Sequence, residues 1–171
     1  GGGPPRTSDL VLNWSGFRFF ERELYGEPRY LFHAIVDADE AFRAGEHETA
    51  RELYTTAVTN TSLVDWRVEQ GTGSGRAELS AYALFRAALA AQRMKDQENL
   101  MSLLDQAVAS YGETLHGTLA AIYRETTLGQ VPPALSCATL EDFLRPQAAR
   151  FNQIWDYGFD NPDHRIDEIC S

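Results

Sequence analysis

Apolar residues along this chain recur at the spacing of one helical face far more often than at every second position. Between Arg29 and Ala44, the residues Leu31, Ile35, Ala38 and Phe42 keep helical spacing. Past Gly45, Ala50, Leu53, Tyr54, Ala57 and Val58 follow the one-face template until Thr59-Asn60-Thr61-Ser62 breaks it. An apolar patch around Val64 and Trp66 leads into Gly71-Thr72-Gly73-Ser74-Gly75, the composition of a flexible loop. A long alanine-rich helix is expected over 76–94, packed on several sides. The next, over 97–111, repeats the template in Leu100, Leu103, Leu104, Ala107, Val108 and Tyr111 and stops at Gly112. A further helix spans 115–128 and closes at Gly129. Val131-Pro132-Pro133 predicts a loop through Ala138, so the last helix is expected from Thr139, with Asp142 as its acidic capping partner. That helix runs to about Tyr157, and Pro146 kinks it or begins its second half. Residues 8–24 are ambiguous: Leu10, Trp14, Phe17 and Leu24 permit a helix and Gly16 weakens it.

The helices therefore come in pairs, 29–44 with 46–59, 76–94 with 97–111, and 115–128 with 139–157, and short connections make paired helices antiparallel. Strand signals are weak throughout, so the fold expected is all-α: about three antiparallel helical hairpins in a single domain over 8–171. The opening Gly-Gly-Gly-Pro-Pro within residues 1–7 reads as a linker or trimmed remnant. At 171 residues and 43% hydrophobic, with 9 Phe, 7 Tyr and 3 Trp, the chain is long and apolar enough for one core. The formal net charge of −10 speaks against nucleic acid and against docking on anionic lipid, and no apolar run is long enough to insert in a membrane. Fourteen of the 15 basic residues are Arg, with Lys95 the exception, and Arg suits bidentate contacts to carboxylates. Two widely spaced cysteines, Cys137 and Cys170, suggest one disulfide pinning the C-terminus; two buried thiols are the alternative.

One stretch poses a sharper choice. In "AGEHETARELYTTAV" (Ala44–Val58), His47-Glu48 opens an H-E-x-x-H frame, the zinc-protease signature. The second ligand position holds Arg51, a permanent cation that repels a metal, so that reading falls. The same stretch closes a helical hairpin. Gly45 at the turn, then Ala50, Tyr54 and Ala57, resembles the tetratricopeptide repeat, a helix–turn–helix unit in which small residues let paired helices approach and an aromatic fills the gap to the next unit. Fifty residues on, Ala91, Lys95, Leu100, Leu104 and Ala107 form a weaker copy, with Lys95 in place of the turn glycine and Leu100 in place of the small residue. The third pair fits loosely. The resemblance implies a right-handed superhelical stack. A vaguer likeness of the tail, "WDYGFDNP" followed by a last-but-one Cys, is to the ends of helical repeat domains in bacterial surface lipoproteins, which implies an extracellular or cell-envelope location.

Repeats of this family line a peptide groove with the first helix of each pair. Carried over by position, the groove would be formed by Phe32, Ile35, Asp39, Phe42 and Arg43, then Tyr82, Phe85, Leu89, Gln92 and Arg93, then His116, Leu119 and Tyr123. Arg43 and Arg93 fall at equivalent places and could hold a carboxylate of a bound peptide. The function this favours is a non-catalytic protein- or peptide-binding scaffold of an exported or surface-held bacterial protein. The alternative is a glycan or small-molecule binder, with Trp14, Trp66 or Trp155 as stacking platforms. Catalysis has little support: there is no nucleophile elbow, Gly71–Gly75 lacks the lysine of phosphate loops, and Cys137 as a nucleophile has no placed partner. Around His116 only a cluster of carboxylates in a deep pocket would revive an enzyme. The tail Asp160-Asn161-Pro162-Asp163-His164 with Asp167 and Glu168 does not match a calcium loop and reads as a turn, so no metal or cofactor is expected.

Overall fold

Helices form where the periodic patterns predict them, with one rearrangement near the C-terminus. The computed structural model describes residues 3–6, 8–158 and 164–170. Its helices are α1 (Leu31–Arg43), α2 (His47–Thr59), α3 (Trp66–Glu69), α4 (Arg76–Arg93), α5 (Gln97–Tyr111), α6 (Leu115–Leu128), α7 (Pro133–Leu144) and α8 (Ala148–Ile154). From Leu31 onward the described chain is an all-helical body joined by turns and loops. Three successive hairpins, α1–α2, α4–α5 and α6–α7, are each packed within the pair, and α4 also lies against α1, α2 and α6. This central position explains its composition. Every residue from Leu79 to Ala91 is buried, and alanines at 81, 83, 87, 88, 90 and 91 let neighbours approach from several directions.

The two best-formed hairpins turn through the same backbone device. Gly45 has φ +81° and Lys95, at the equivalent position, has φ +61°. The left-handed conformation suits glycine and is uncommon for lysine, so the second copy keeps the turn geometry without its preferred residue. Ala50, Tyr54 and Ala57 are all buried, as the hairpin pattern requires. Gly117 marks a second tight approach: a Cβ there would lie 1.9 Å from the Tyr111 carbonyl oxygen, so the α5–α6 corner closes only around a glycine.

Three expectations need correction. The loop ends at Pro132 and residues 133–138 are helical: α7 begins at Pro133, whose missing N–H falls where a first helical turn has no use for one. Thr139 consequently lies inside α7, its hydroxyl donating to Leu135 O at 2.9 Å, and Asp142 faces Arg145 at 3.6 Å and caps nothing. Pro146 does divide the last helix, in a 3-10 turn at Arg145–Gln147 before α8. Finally, the ambiguous segment is a hairpin of strands, β1 (Ser8–Trp14) antiparallel to β2 (Phe19–Tyr25), with Trp14 opposite Phe19. The alternating Leu10, Leu12 and Trp14 on β1 are more than half exposed, so this pattern marks a strand face outside the core. Just ahead of it, Arg6 grips Asp37 of α1 in a two-pronged ion pair at 2.5 and 2.7 Å, so residues 3–6 are packed against the body.

Cys137 of α7 and Cys170 form a disulfide across a sequence separation of 33 residues. It returns the end of the chain to the helical body.

Candidate functional site

Of the residues expected to line a groove, Phe32, Asp39, Tyr82, His116 and Arg93 meet the chain's own C-terminal segment. After α8 the chain crosses the first helix of all three hairpins. Tyr157 stacks on Phe32 of α1 with ring centroids 4.3 Å apart. Trp155 meets Tyr82 of α4 edge-on at 4.5 Å and His116 of α6 at 6.2 Å. Further on, Arg86 donates to Ile169 O at 3.3 Å and Arg93 donates to Cys170 O at 3.0 Å, just before the disulfide. At the end of α8, where this strap begins, Arg67 donates to Gln153 O and Ile154 O at 2.5 and 3.0 Å. Aromatic contacts and guanidinium-to-carbonyl bonds thus hold the segment to the helices.

Beneath the strap lies a buried polar network. Asp39, 1% exposed, accepts hydrogen bonds from the Tyr54 hydroxyl and, at 2.8 Å, from the Tyr82 hydroxyl. Arg86, itself buried, has Nε 3.7 Å from Asp39 Oδ1 and 3.4 Å from the Tyr54 hydroxyl, and its guanidinium sits 4.0 Å above the Phe42 ring. His164 of the strap approaches from the other side, with Nε2 3.4 Å from Asp39 Oδ2 and its ring 3.9 Å from Trp155. Burial raises the Asp39 carboxyl above its ordinary range, against the opposing pull of Arg86 and the two tyrosines. Burial and the Asp39 charge push Tyr54 and Tyr82 upward, so both stay protonated and can donate. His164 is pushed down to about 3, first by burial and then by the positive charge of Arg86 and Arg43.

His116 is a separate case. It is fully buried with its Nδ1 3.6 Å from Glu78 Oε2, and burial lowers its proton affinity. Glu78 accepts from the first N–H of α6, that of Leu115, and from Arg150 of α8 at 3.1 Å, which fastens α4, α6 and α8 together. Burial opposes ionisation of Glu78, and contacts with His116, Leu115 and Arg150 outweigh it, so its carboxyl lies below the usual value. This is the geometry of a structural tie.

His116 and His164 set a pH dependence. Each has a folded-state affinity below the unfolded value of 6.5, so below that pH the unfolded chain binds protons the folded chain refuses. Their contribution is fully present above pH 6.5 and is lost as pH falls, with a slope of at most about 1.4 kcal/mol per pH unit for each histidine. Asp39 works the other way, since its raised value favours the folded state as pH falls through it. Urea unfolding from pH 7.5 to 5 is expected to show stability falling with acid, and His164→Phe, which keeps the ring against Trp155, is expected to flatten the slope. An unchanged slope in that variant would remove His164 from the account.

The other expected residues divide clearly. Arg43 is exposed at the end of α1, and Arg93 is engaged by the Cys170 carbonyl. Phe85 and Tyr123 are buried against each other at 5.9 Å, and the Tyr123 hydroxyl donates to Gln92. Ile35, Phe42, Leu89 and Leu119 are core. Of the tryptophans, Trp155 is buried, Trp66 packs edge-on against Tyr30 at 5.4 Å, and Trp14 stands exposed on β1. His47 packs against Phe42 at 5.1 Å. Asp160, Asn161, Pro162 and Asp163 of the tail lie outside the described residues, while Asp167 and Glu168 face Arg165. Among the described residues no three His, Cys, Asp or Glu side chains gather as a metal would need, and no helix is long and apolar enough to cross a membrane. Cys137 is bonded to Cys170 and offers no thiol. The sequence reading missed Arg86 and His164 as partners of Asp39. The signal for Arg86 was present: a lone charge amid the buried alanine run of α4.

Comparison with protein-family models, with curated proteins and with solved structures finds no match to this chain.

Proposed function

We propose that the chain is a non-catalytic protein- or peptide-binding module, built as a tetratricopeptide-like right-handed stack, whose recognition face is formed by α1, α4 and α6. The observation that carries this reading is the strap. The C-terminal segment, with a single 3-10 turn at Ile166–Glu168, meets that face through ring contacts to Phe32, Tyr82 and His116 and through arginine bonds to its backbone carbonyls. Arginine-to-carbonyl bonds read a peptide's main chain whatever its side chains, and aromatic pockets add preference. The strap is on this reading an intramolecular occupant, and a partner segment competes with it. The Cys137–Cys170 bond supports an oxidising compartment, which fits an exported or envelope location.

The test uses the full chain with Cys137→Ser and Cys170→Ser, and a synthetic peptide covering residues 153–170. The unlatched chain is expected to bind the peptide with a micromolar dissociation constant, and the disulfide-bonded chain at least tenfold more weakly. Adding Arg93→Ala should weaken binding to the unlatched chain. A variant that remains helical by circular dichroism and binds no peptide would overturn the reading.

A further inference from the structure

Between the end of α1, the middle of α4 and the strap lies a cavity of about 110 Å³, lined among others by Arg43, Tyr82, Arg86, His164, Arg165 and Glu168. We infer that it is a carboxylate-binding site, in which Arg86 and Arg43 take the two oxygens of a monoanionic ligand and Arg165 stands at the rim.

Three guanidiniums from distant parts of the chain converge here, in a molecule of net charge −10. Asp39 already accepts from two tyrosines and reaches Arg86 only at 3.7 Å. Arg86 uses Nε toward Tyr54 and Nη1 toward Ile169 O, and its Nη2 keeps solvent access and makes no hydrogen bond to any described residue. Arg43 makes no hydrogen bond or ion pair with any described residue. Guanidinium N–H groups open to a cavity can exchange water for an anionic acceptor, and a planar carboxylate matches the guanidinium fork. The same positive field acts on His164, whose depressed proton affinity has Arg86 and Arg43 as causes after burial.

The site also limits its ligand. The volume admits a carboxylate and the first atoms behind it. Glu168 on the wall, 3.7 Å from Arg165 Nε, disfavours a second negative charge, so a carboxylate is preferred to phosphate. Tyr82 and Ile169 supply apolar wall behind the charged groups. The cavity exists with the strap seated, so the site does not depend on the strap's displacement and goes beyond the peptide-binding reading.

The experiment is a titration of the ¹⁵N-labelled, disulfide-bonded full chain at constant ionic strength in chloride. The probes are acetate, inorganic phosphate, N-acetyl-triglycine and its C-terminal amide, followed through the Arg Nε–H and Ile169 amide signals. Acetate is expected to give saturable shifts in the millimolar range, and phosphate weaker ones. Arg43→Gln, an exposed change that leaves thermal unfolding unaltered, should weaken acetate at least tenfold. Glu168→Gln should raise phosphate affinity toward that of acetate. If N-acetyl-triglycine binds more tightly than acetate and its amide does not bind, the carboxylate is that of a peptide terminus. Equal binding of acetate and N-acetyl-triglycine assigns the site to small free carboxylates. Linear, unsaturable shifts, or shifts identical in Arg43→Gln, would overturn the site, while leaving the strap experiment unaffected.

Discussion

Replacing Arg86 with methionine is expected to lower unfolding free energy by about 3–5 kcal/mol, among the largest effects of any single change in this protein. Methionine keeps much of the stem's packing over the Phe42 ring, so little of the loss is cavity formation. What is lost is a guanidinium 3.7 Å from Asp39, a carboxylate 1% exposed. Two tyrosine hydroxyls remain as donors, but hydroxyls do not neutralise a buried charge. The Ile169 carbonyl also loses its donor, so the strap loosens with the core. The electrostatic account has a specific check. Asp39→Asn removes the charge while keeping an acceptor for Tyr54 and Tyr82, so the double variant should be more stable than Arg86→Met alone, with a coupling of about 2 kcal/mol or more in urea unfolding. Additive losses would mean that Arg86 acts through packing.

The second large effect belongs to the disulfide. Cys137 and Cys170 close a loop of 33 residues, and in the chain-entropy model such a cross-link stabilises by roughly 3–4 kcal/mol. Converting both to serine is expected to lower stability by that amount. The loss should also be local before it is global. Freed of its covalent anchor, the strap is held by Arg86, Arg93 and Arg67 and by the rings of Trp155 and Tyr157, while α4 to α6 keep their mutual packing. Amide hydrogen exchange should therefore rise first in residues 155–158 and 164–170, with protection in α4 nearly unchanged. Uniform loss of protection would show that strap and helical body unfold as one unit.

The sequence by itself determined the helices and much of their pairing. One-face periodicity needs no tertiary information, because a helix that presents Leu100, Leu103, Leu104 and Ala107 on one side must bury that side whatever lies opposite. The Gly45 turn with Ala50, Tyr54 and Ala57 was equally local, and so was the division of the last helix at Pro146. The cysteine count anticipated the disulfide, since two thiols allow a single bridge. The opening of α7 at Pro133 was misread because a proline that ends one element and a proline that starts the next look the same without the backbone around them. The β1–β2 hairpin was missed because its alternating face packs on no core and so leaves too short a pattern to distinguish from a broken helix.

Only the tertiary structure decided what covers the expected groove. Helical spacing assigned Phe32, Asp39, Tyr82 and His116 to a groove, and in the fold each meets the C-terminal segment. Whether such a face meets solvent, a partner or the same chain depends on contacts such as Tyr157 on Phe32 and His164 beside Asp39, more than a hundred positions apart in each case. Arg93, which seemed a twin of Arg43, is taken by the Cys170 carbonyl, and Arg86 moves into the role beside Arg43. Local sequence sets which side of a helix is apolar through a period of a few residues. Which buried charge answers Asp39 is settled by long-range packing, where the cost of an unpaired charge selects its partner from the whole chain.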